Sequence, residues 1–362
     1  MFIKKILLYN FRNYINQEIE LDKDINVFFG NNAQGKTNIL ESVYLCAFGK
    51  SFRVKKDKDL VMFNKENAFV EIYYKKEDRE GKVKASIDEK KVFYINDVKQ
   101  EKISNIIGKI NVVMFNPDDI NIIKGDSSKR RKFIDMMICS LKPNYLNLLT
   151  DYNKVLKQRN NYLKQIKIDN KKSDLLDVYD EQMAEYSEKI YNYRKYFFDK
   201  FENKLQTIHN MITKSGKEKI EIKYNNNIYD KNDFLEKIRK NRKNDIIRGF
   251  TSVGIHRDDF IINVDDKNIQ IYGSQGQKKS AILSLKICEL EIVKEELNET
   301  PVLLLDDFMS ELDEIRRNNF LENIKDCQII ITATDDVNIN IDYTKFNVIG
   351  GKCIKKEKIE GM

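Results

Sequence analysis

The stretch GNNAQGKT, residues 30–37 of a 362-residue chain, constrains the fold more than any other. It fits the pattern G-x-x-x-x-G-K-[ST], with Gly30, Gly35, Lys36 and Thr37 at the fixed positions. Residues 25–29 (INVFF) are β-formers with the length of a buried strand, and Ile39, Leu40, Val43, Tyr44 and Ala47 then recur at helical spacing. Strand, glycine-rich loop and helix in that order point to an α/β domain. In it the backbone N–H groups of Gly30, Asn31, Asn32, Ala33, Gln34 and Gly35 converge on a phosphate chain. Lys36 then reaches the β and γ phosphates, Thr37 gives its hydroxyl to Mg²⁺, and the helix N-terminus adds a partial positive charge. The alternative is an ordinary strand-to-helix turn with two glycines, but four constrained positions match by chance in such a chain only on the order of one per cent of the time.

A second stretch, TPVLLLDDFMSELD (residues 300–313), is a continuous apolar strand ending in two carboxylates. If this strand lies beside the first, Asp306 approaches Mg²⁺ from its outer shell and Asp307 positions or polarises the attacking water, which makes it the expected catalytic residue. Alone, it reads as a buried strand followed by a helix-capping Asp; the phosphate loop reverses that balance. In a third stretch, Ser274, Gln275, Gly276 and Gln277 precede a helix with apolar residues at Ile282, Leu285, Ile287, Leu290 and Val293. This is either a second anion cradle or a capped helix after a turn.

Between these stretches the pattern changes twice. Short strands are expected at residues 6–11, 25–29, 69–74, 83–87, 92–95 and 111–115. Long helices follow. Tyr145, Leu148, Tyr152, Val155, Tyr162 and Ile166 keep a three-four spacing broken by Arg159; Leu176 through Ile208 keep it again for over thirty residues. Two such helices should pair as an antiparallel, coiled-coil-like arm, about 40–50 Å long at 1.5 Å per residue. The expected division is an α/β head of residues 1–125 plus 249–362 and an inserted all-helical domain of residues 126–248. Five scattered cysteines without a C-x-x-C pair argue against a zinc site or disulfide framework. No apolar run approaches the roughly 18 residues of a membrane helix, and the N-terminal apolar stretch is too short for a signal peptide, so a soluble cytoplasmic protein is expected. Sixty-four Lys+Arg against 57 Asp+Glu leave +7, a surplus compatible with a nucleic-acid partner but not diagnostic of one.

The three stretches in this order resemble the ATP-binding-cassette ATPases, and the S-x-G-Q form points to the branch that includes the SMC proteins. The resemblance implies that Ser274, Gln275, Gly276 and Gln277 of one copy close over the γ-phosphate held by another, with residues 310–313 (SELD) along the same interface. The position usually occupied by histidine after the next strand falls in IIITATDD, leaving Thr332 or Thr334 as γ-phosphate sensor. An insertion of about 120 residues is too short for a true SMC coiled coil and lacks a C-x-x-C hook. YNFRNY, GKSFR, FNPDDINIIKGDSSKRRKFID, LKQRN, GIHRDD and SQGQ, spread over nearly the whole chain, resemble the bacterial recombination-repair members of the branch. Ile255 replaces a usual proline, and Lys278-Lys279 is more basic than usual. That resemblance implies an ATP-dependent homodimer that binds single-stranded or gapped DNA and acts with RecR. It further implies promotion of RecA loading and the SOS response, and weak, DNA-stimulated ATP hydrolysis that resets the protein.

Other residues carry open readings. Arg12 either approaches the ATP phosphates from the side or forms a surface salt bridge. Lys129–Lys132 and the cluster Lys50, Arg53, Lys55, Lys56 and Lys58 either track DNA phosphates or form solvated faces. His256 reads as a local hydrogen-bonding residue, His209 has no assigned role, and Arg159 reads as a buried register-setting pair or an exposed edge. A transporter ATPase subunit shares the three motifs but lacks a long arm between its two cradles, and a purely structural DNA tether would need a longer one.

Overall fold

The computed structural model describes residues 1–169, 174–213, 216–307, 320, 324, 326–334 and 342–359. The expected interface loop at residues 310–313 lies outside them. In chain order the elements are β1 (Phe2–Phe11), β2 (Tyr14–Glu20), β3 (Ile25–Phe29), α1 (Lys36–Phe48), β4 (Ala68–Lys76), β5 (Arg79–Ile87), β6 (Lys91–Ile95), β7 (Val98–Gln100) and β8 (Val112–Phe115). Then come α2 (Ile120–Lys124), α3 (Ser127–Leu141), α4 (Pro143–Asp169), α5 (Leu175–Thr213), β9 (Ile220–Asn225), α6 (Lys231–Arg248), β10 (Asp259–Val264), β11 (Lys267–Asn268), α7 (Ile269–Tyr272) and α8 (Gln275–Leu297). β12 (Val302–Asp306), β13 (Ile329–Ala333), β14 (Tyr343–Ile349) and β15 (Lys352–Ile359) close the described chain.

Two compact units form, residues 1–119 with 289–362, and residues 120–288. In the first, an antiparallel sheet has the order β2-β1-β4-β5-β6-β7, and a second, mostly parallel sheet has the order β15-β14-β3-β13-β12-β8. α1 packs on β4 and β5 of one sheet and on β12 and β13 of the other. Covered on both sides, it buries Ile39, Leu40, Val43, Leu45 and Cys46 completely, so its apolar residues are not confined to one stripe. β3, β12 and β13 are buried at every residue, as parallel strands with both faces covered must be. The two carboxylates do not end a strand adjacent to β3: β13 lies between β3 and β12, parallel to both. The stretch IIITA is as apolar and β-branched as VLLLD, and no local signal ranks them across a sheet.

The second unit is helical, with α4, α5 and α6 packed on one another, but not wholly so. β9 pairs antiparallel with β10, and Ile220 and Ile222 face inward while Glu221 and Lys223 alternate outward. This corrects the expectation of an all-helical insertion over residues 126–248. It also explains why residues 249–288 group with the insertion: β10 and β11 join β9, not a sheet of the first unit. Arg159, fully buried, donates to Asp180 (2.7 Å), Asp245 (2.9 Å) and Thr251 (2.8 Å), which settles its open reading as a buried pair. Among the described residues no helix is long and apolar enough to cross a membrane.

Candidate functional site

The phosphate loop runs from the end of β3 into α1, and two of its glycines have no substitute. At Gly30 (φ +155°) a Cβ would lie 2.3 Å from the Val348 carbonyl oxygen; at Gly35 (φ +116°) it would lie 2.6 Å from the Asn13 amide. Asn13, on the turn between β1 and β2, is the main strut. Its Nδ2 donates to the Gln34 carbonyl (2.7 Å) and its Oδ1 accepts from Asn38 Nδ2 (2.8 Å), while Tyr14 donates to the Gly35 carbonyl (3.1 Å). From the opposite side, the N–H of Gly350 donates to Gln34 Oε1 (2.6 Å) and that of Gly351 to the Gln34 carbonyl (3.2 Å). These bonds end on loop carbonyls and the Gln34 side chain, not on the N–H groups that a phosphate requires.

Lys36 is 6% exposed, and its ammonium donates to the carbonyls of Gly30 and, at 3.1 Å, Asn31. Thr37 Oγ1 donates to Asp306 Oδ1 at 2.8 Å. Thr332, fully buried on β13, donates to the same oxygen at 2.9 Å and accepts the Asp307 N–H at 2.9 Å. The intervening strand thus ties the two aspartates to each other, and Thr37 joins Asp306 to the loop directly. Burial raises the Asp306 pKa above the ordinary carboxylate value, against the opposing hydrogen bonds from Thr37 and Thr332. A hydroxyl beside a desolvated carboxylate fits a Mg²⁺ site in which Thr37 would be a ligand and Asp306 would hold the ion's water from the outer shell. Among the described residues no cluster of three or more His, Cys, Asp or Glu offers a self-sufficient metal cage. Of the two sensor candidates, Thr332 lines the cavity described next; Thr334 is half-buried and does not.

The loop opens on a cavity of about 760 Å³ lined by residues 31–38, Arg12, Asn13, Arg53, Lys58, Asp59, residues 61–65, Asp307 and Thr332. Arg12, Ala33 and Asp307 hold left-handed backbone conformations there (φ +56°, +66° and +47°). Such conformations carry about 1–3 kcal/mol of strain each and concentrate at functional sites. Arg12 lines the cavity, and its guanidinium forks onto Glu41 with two 2.8 Å bonds, so the salt bridge it forms is to a buried partner and not a surface one. Glu41, fully buried on α1, also accepts from Ser51 and lies 3.8 Å from Arg53.

Sequence reasoning passed over Asn13, Glu41 and Phe63. The turn at residues 62–65 is closed by the Lys65 N–H on the Met62 carbonyl (3.0 Å) and tied to β1 by the Met62 N–H on Asn10 (2.7 Å). It presents Phe63, 87% exposed, beside the phosphate loop. An exposed ring on a turn in the cavity wall offers a flat apolar face to whatever enters the cavity. Of the two basic clusters, the second supplies Arg53 and Lys58 to this cavity. The first is not a uniform cationic face, because Arg130 forks onto Asp259 (2.6 and 2.9 Å) and Arg131 donates to the Asp258 carbonyl (2.6 Å).

Ser274, Gln275, Gly276 and Gln277 belong to the other unit and open α8, with Ser274, Gln275 and Gly276 exposed. Ser274 and Gln277 form a reciprocal cap: the Ser274 N–H donates to Gln277 Oε1 (2.9 Å) and the Gln277 N–H to Ser274 Oγ (3.2 Å). The capped-helix reading therefore holds, and the cap leaves the serine hydroxyl hydrogen to donate elsewhere. GIHRDD is a structural hub of this unit. His256 is bonded to Tyr152 (2.6 Å) and the Thr251 carbonyl (3.1 Å), and burial pushes its pKa down to about 4.

Residues 2–349 match the family model of the RecF/RecN/SMC N-terminal domain. Proteins described as DNA replication and repair protein RecF are similar over nearly the full length. The one from Clostridium tetani is 43% identical over 98% of this chain and 100% of its own, and the one from Clostridium kluyveri 45% identical over 94% and 95%. A solved structure of the recombination mediator protein RecF-ATP in the RecFOR pathway superposes with a TM-score of 0.92 at 36% identity, covering 98% of both chains. The Smc head domain from Pyrococcus furiosus, 17% identical with a TM-score of 0.59 over 99% of this chain and 96% of that one, shares the fold.

Proposed function

The chain belongs to the RecF group of the RecF/RecN/SMC family of DNA replication and repair proteins, and from that premise we propose that it is an ATP-switched DNA-binding protein of recombinational repair and replication restart. The observation that carries this reading is the 2.8 Å bond between Thr37 and Asp306 beside a glycine-rich loop braced through its carbonyls. When bound, Mg²⁺ at this pair supplies charge neutralisation for the phosphates of ATP. Lys36 leaves the Gly30 and Asn31 carbonyls and turns to the β and γ phosphates. The phosphate loop and the N-terminus of α1 hold the phosphate chain, and Phe63 stacks on the base. Asp307 orients the attacking water, with Thr332 fixing its backbone.

In this reading Ser274, Gln275, Gly276 and Gln277 of a second copy complete the site, so that ATP joins two chains into a homodimer. The dimer binds single-stranded or gapped DNA, acts with RecR in the cytoplasm and promotes RecA loading and the SOS response. Weak, DNA-stimulated hydrolysis returns it to the free state. Sedimentation with and without ATP, repeated with gapped DNA over a salt series, tests this. The expected results are an ATP-dependent dimer and a DNA affinity that falls steeply with salt in proportion to the phosphates neutralised. A monomer at saturating ATP, or DNA binding indifferent to salt, refutes it.

A further inference from the structure

His209, near the end of α5, is fully buried, yet a continuous hydrogen-bonded chain links it to the exposed turn at the start of α8. Its Nδ1 faces Ser284 Oγ at 2.9 Å, and its Nε2 faces Glu218 Oε2 at 3.2 Å. The other oxygen of Glu218 accepts from Gln277 Nε2 at 3.0 Å, and Gln277 Oε1 in turn accepts the Ser274 N–H at 2.9 Å. One more residue of α5, Gln206, holds the same segment: its Nε2 donates to the Glu218 carbonyl (3.0 Å) and its Oε1 accepts the Ile220 N–H (2.8 Å).

The donors and acceptors order themselves from the carboxylate outward. Glu218 only accepts, so Gln277 must present its NH₂ to Glu218 and its carbonyl to Ser274, and His209 must carry its proton on Nε2. Its Nδ1 then shares the single hydrogen of the Ser284 hydroxyl with the Ser280 carbonyl, 2.7 Å from the same oxygen. With Gln277 oriented in this way, its own N–H reaches Ser274 Oγ, and the serine hydroxyl keeps its hydrogen for an outside acceptor. Without Glu218 the Gln277 amide is free to rotate and the cap loses its fixed orientation.

We propose that His209 and Glu218 are positioning residues that preorganise the Ser274–Gln277 turn as a donor site for a phosphate anion and make its geometry depend on the long helix α5. The proposal rests on the reading that this turn grips the terminal phosphate of ATP held by a second copy. A displacement of α5 then reaches the turn through Glu218, so a ligand acting on the helical unit modulates closure of the nucleotide sandwich.

The test uses the full chain with a slowly hydrolysed ATP analogue and two variants of a residue that is 27% exposed, Glu218→Ala and Glu218→Gln. Analogue affinity measured at a protein concentration too low for dimerisation should be unchanged. The dimer dissociation constant should rise about tenfold in Glu218→Ala, the loss of one net hydrogen bond, and less in Glu218→Gln, which keeps an acceptor. The chain has two histidines, so its imidazole ¹⁵N spectrum is simple. The His209 resonances should move when the analogue drives dimerisation, while those of His256 stay in place and report an intact fold. Undiminished dimerisation of Glu218→Ala, or His209 resonances that stay still in the wild-type dimer, overturns the proposal. Ser274→Arg separates it from its premise: if that variant still dimerises on the analogue, the trans role of the turn is wrong, and the proposal falls with it.

Discussion

Thr332 gives the sharpest quantitative test of the site. Its buried hydroxyl donates to Asp306 and accepts the Asp307 N–H, both at 2.9 Å. Thr332→Val keeps the shape of the side chain and removes both bonds. A hydrogen bond to a charged group contributes about 1.5–3 kcal/mol, and a buried donor left alone costs about 1–3 kcal/mol. Asp307 is half-buried, so water recovers part of the second amount. The nucleotide-free protein should therefore lose about 2–4 kcal/mol. The functional effect follows from the backbone. Asp307 sits at φ +47°, and its N–H bond to Thr332 helps to hold that strained conformation. Released, the backbone relaxes and carries the carboxylate away from the water it must orient, so turnover should fall by about tenfold or more, the equivalent of at least about 1.4 kcal/mol of barrier. ATP affinity should change little, because the phosphate loop and Lys36 are untouched. Urea unfolding without nucleotide, a binding titration and single-turnover hydrolysis measure the three quantities, with Thr334→Val as the matched control. Wild-type unfolding and turnover in Thr332→Val, or the loss appearing in Thr334→Val instead, would refute the reasoning.

Phe63→Ala should weaken ATP binding about tenfold, within the usual value of one base–aromatic stack, while leaving inorganic tripolyphosphate binding unchanged; Lys36→Ala should abolish both, and equal losses for the two ligands in Phe63→Ala would remove the base platform. Asp307→Asn should bind ATP and dimerise but fail to turn over, staying on gapped DNA in a chase experiment; normal hydrolysis there would end the assignment of water positioning to this residue. Asp306 carries the pH dependence. Burial raises its folded pKa above the unfolded carboxylate value of about 3.9, so its stabilising contribution is complete below that value and is lost as pH rises through the folded pKa. Without nucleotide and Mg²⁺, Asp306→Asn should thus gain stability relative to wild type as pH rises above about 4, read from urea midpoints; a relative loss on raising the pH would contradict the desolvated carboxylate.

What the sequence made legible is what is local in the chain. Gly30 to Thr37 could be read because one strand, one loop and one helix N-terminus define the whole cradle. Asp306 and Asp307 could be read because an apolar strand ending in two acids is unusual whatever lies beside it. The braces of the same site were not readable. Asn13 lies 21 residues from the Gln34 carbonyl it holds, and Gly350 lies 316 residues from the Gln34 side chain. Pairings at such separations leave no periodicity, and an asparagine on a turn is ordinary by itself. Strand order was hidden for the same reason: IIITA and VLLLD are equivalent as local patterns, and only the folded sheet places β13 between β3 and β12 and so brings Thr332 against Asp306.

Charge misled in a related way. Four consecutive basic residues at 129–132 suggest an outward face, but a helix turns successive side chains through about 100°, so a run of four cannot face one direction. Arg130 and Arg131 accordingly meet Asp259 and the Asp258 carbonyl inside the second unit. The same geometry accounts for GIHRDD: its aspartates and histidine are matched to Arg130, Arg194 and Tyr152, so that stretch carries the fold of the helical unit and not the chemistry of the nucleotide. Resemblance across a whole chain therefore mixes two kinds of residue. On the reading proposed above, residues 30–37 and 306–307 meet the ligand, whereas Arg130 and Arg131 meet Asp259 and the Asp258 carbonyl, and only substitutions at the first kind should change nucleotide binding without changing the stability of the helical unit.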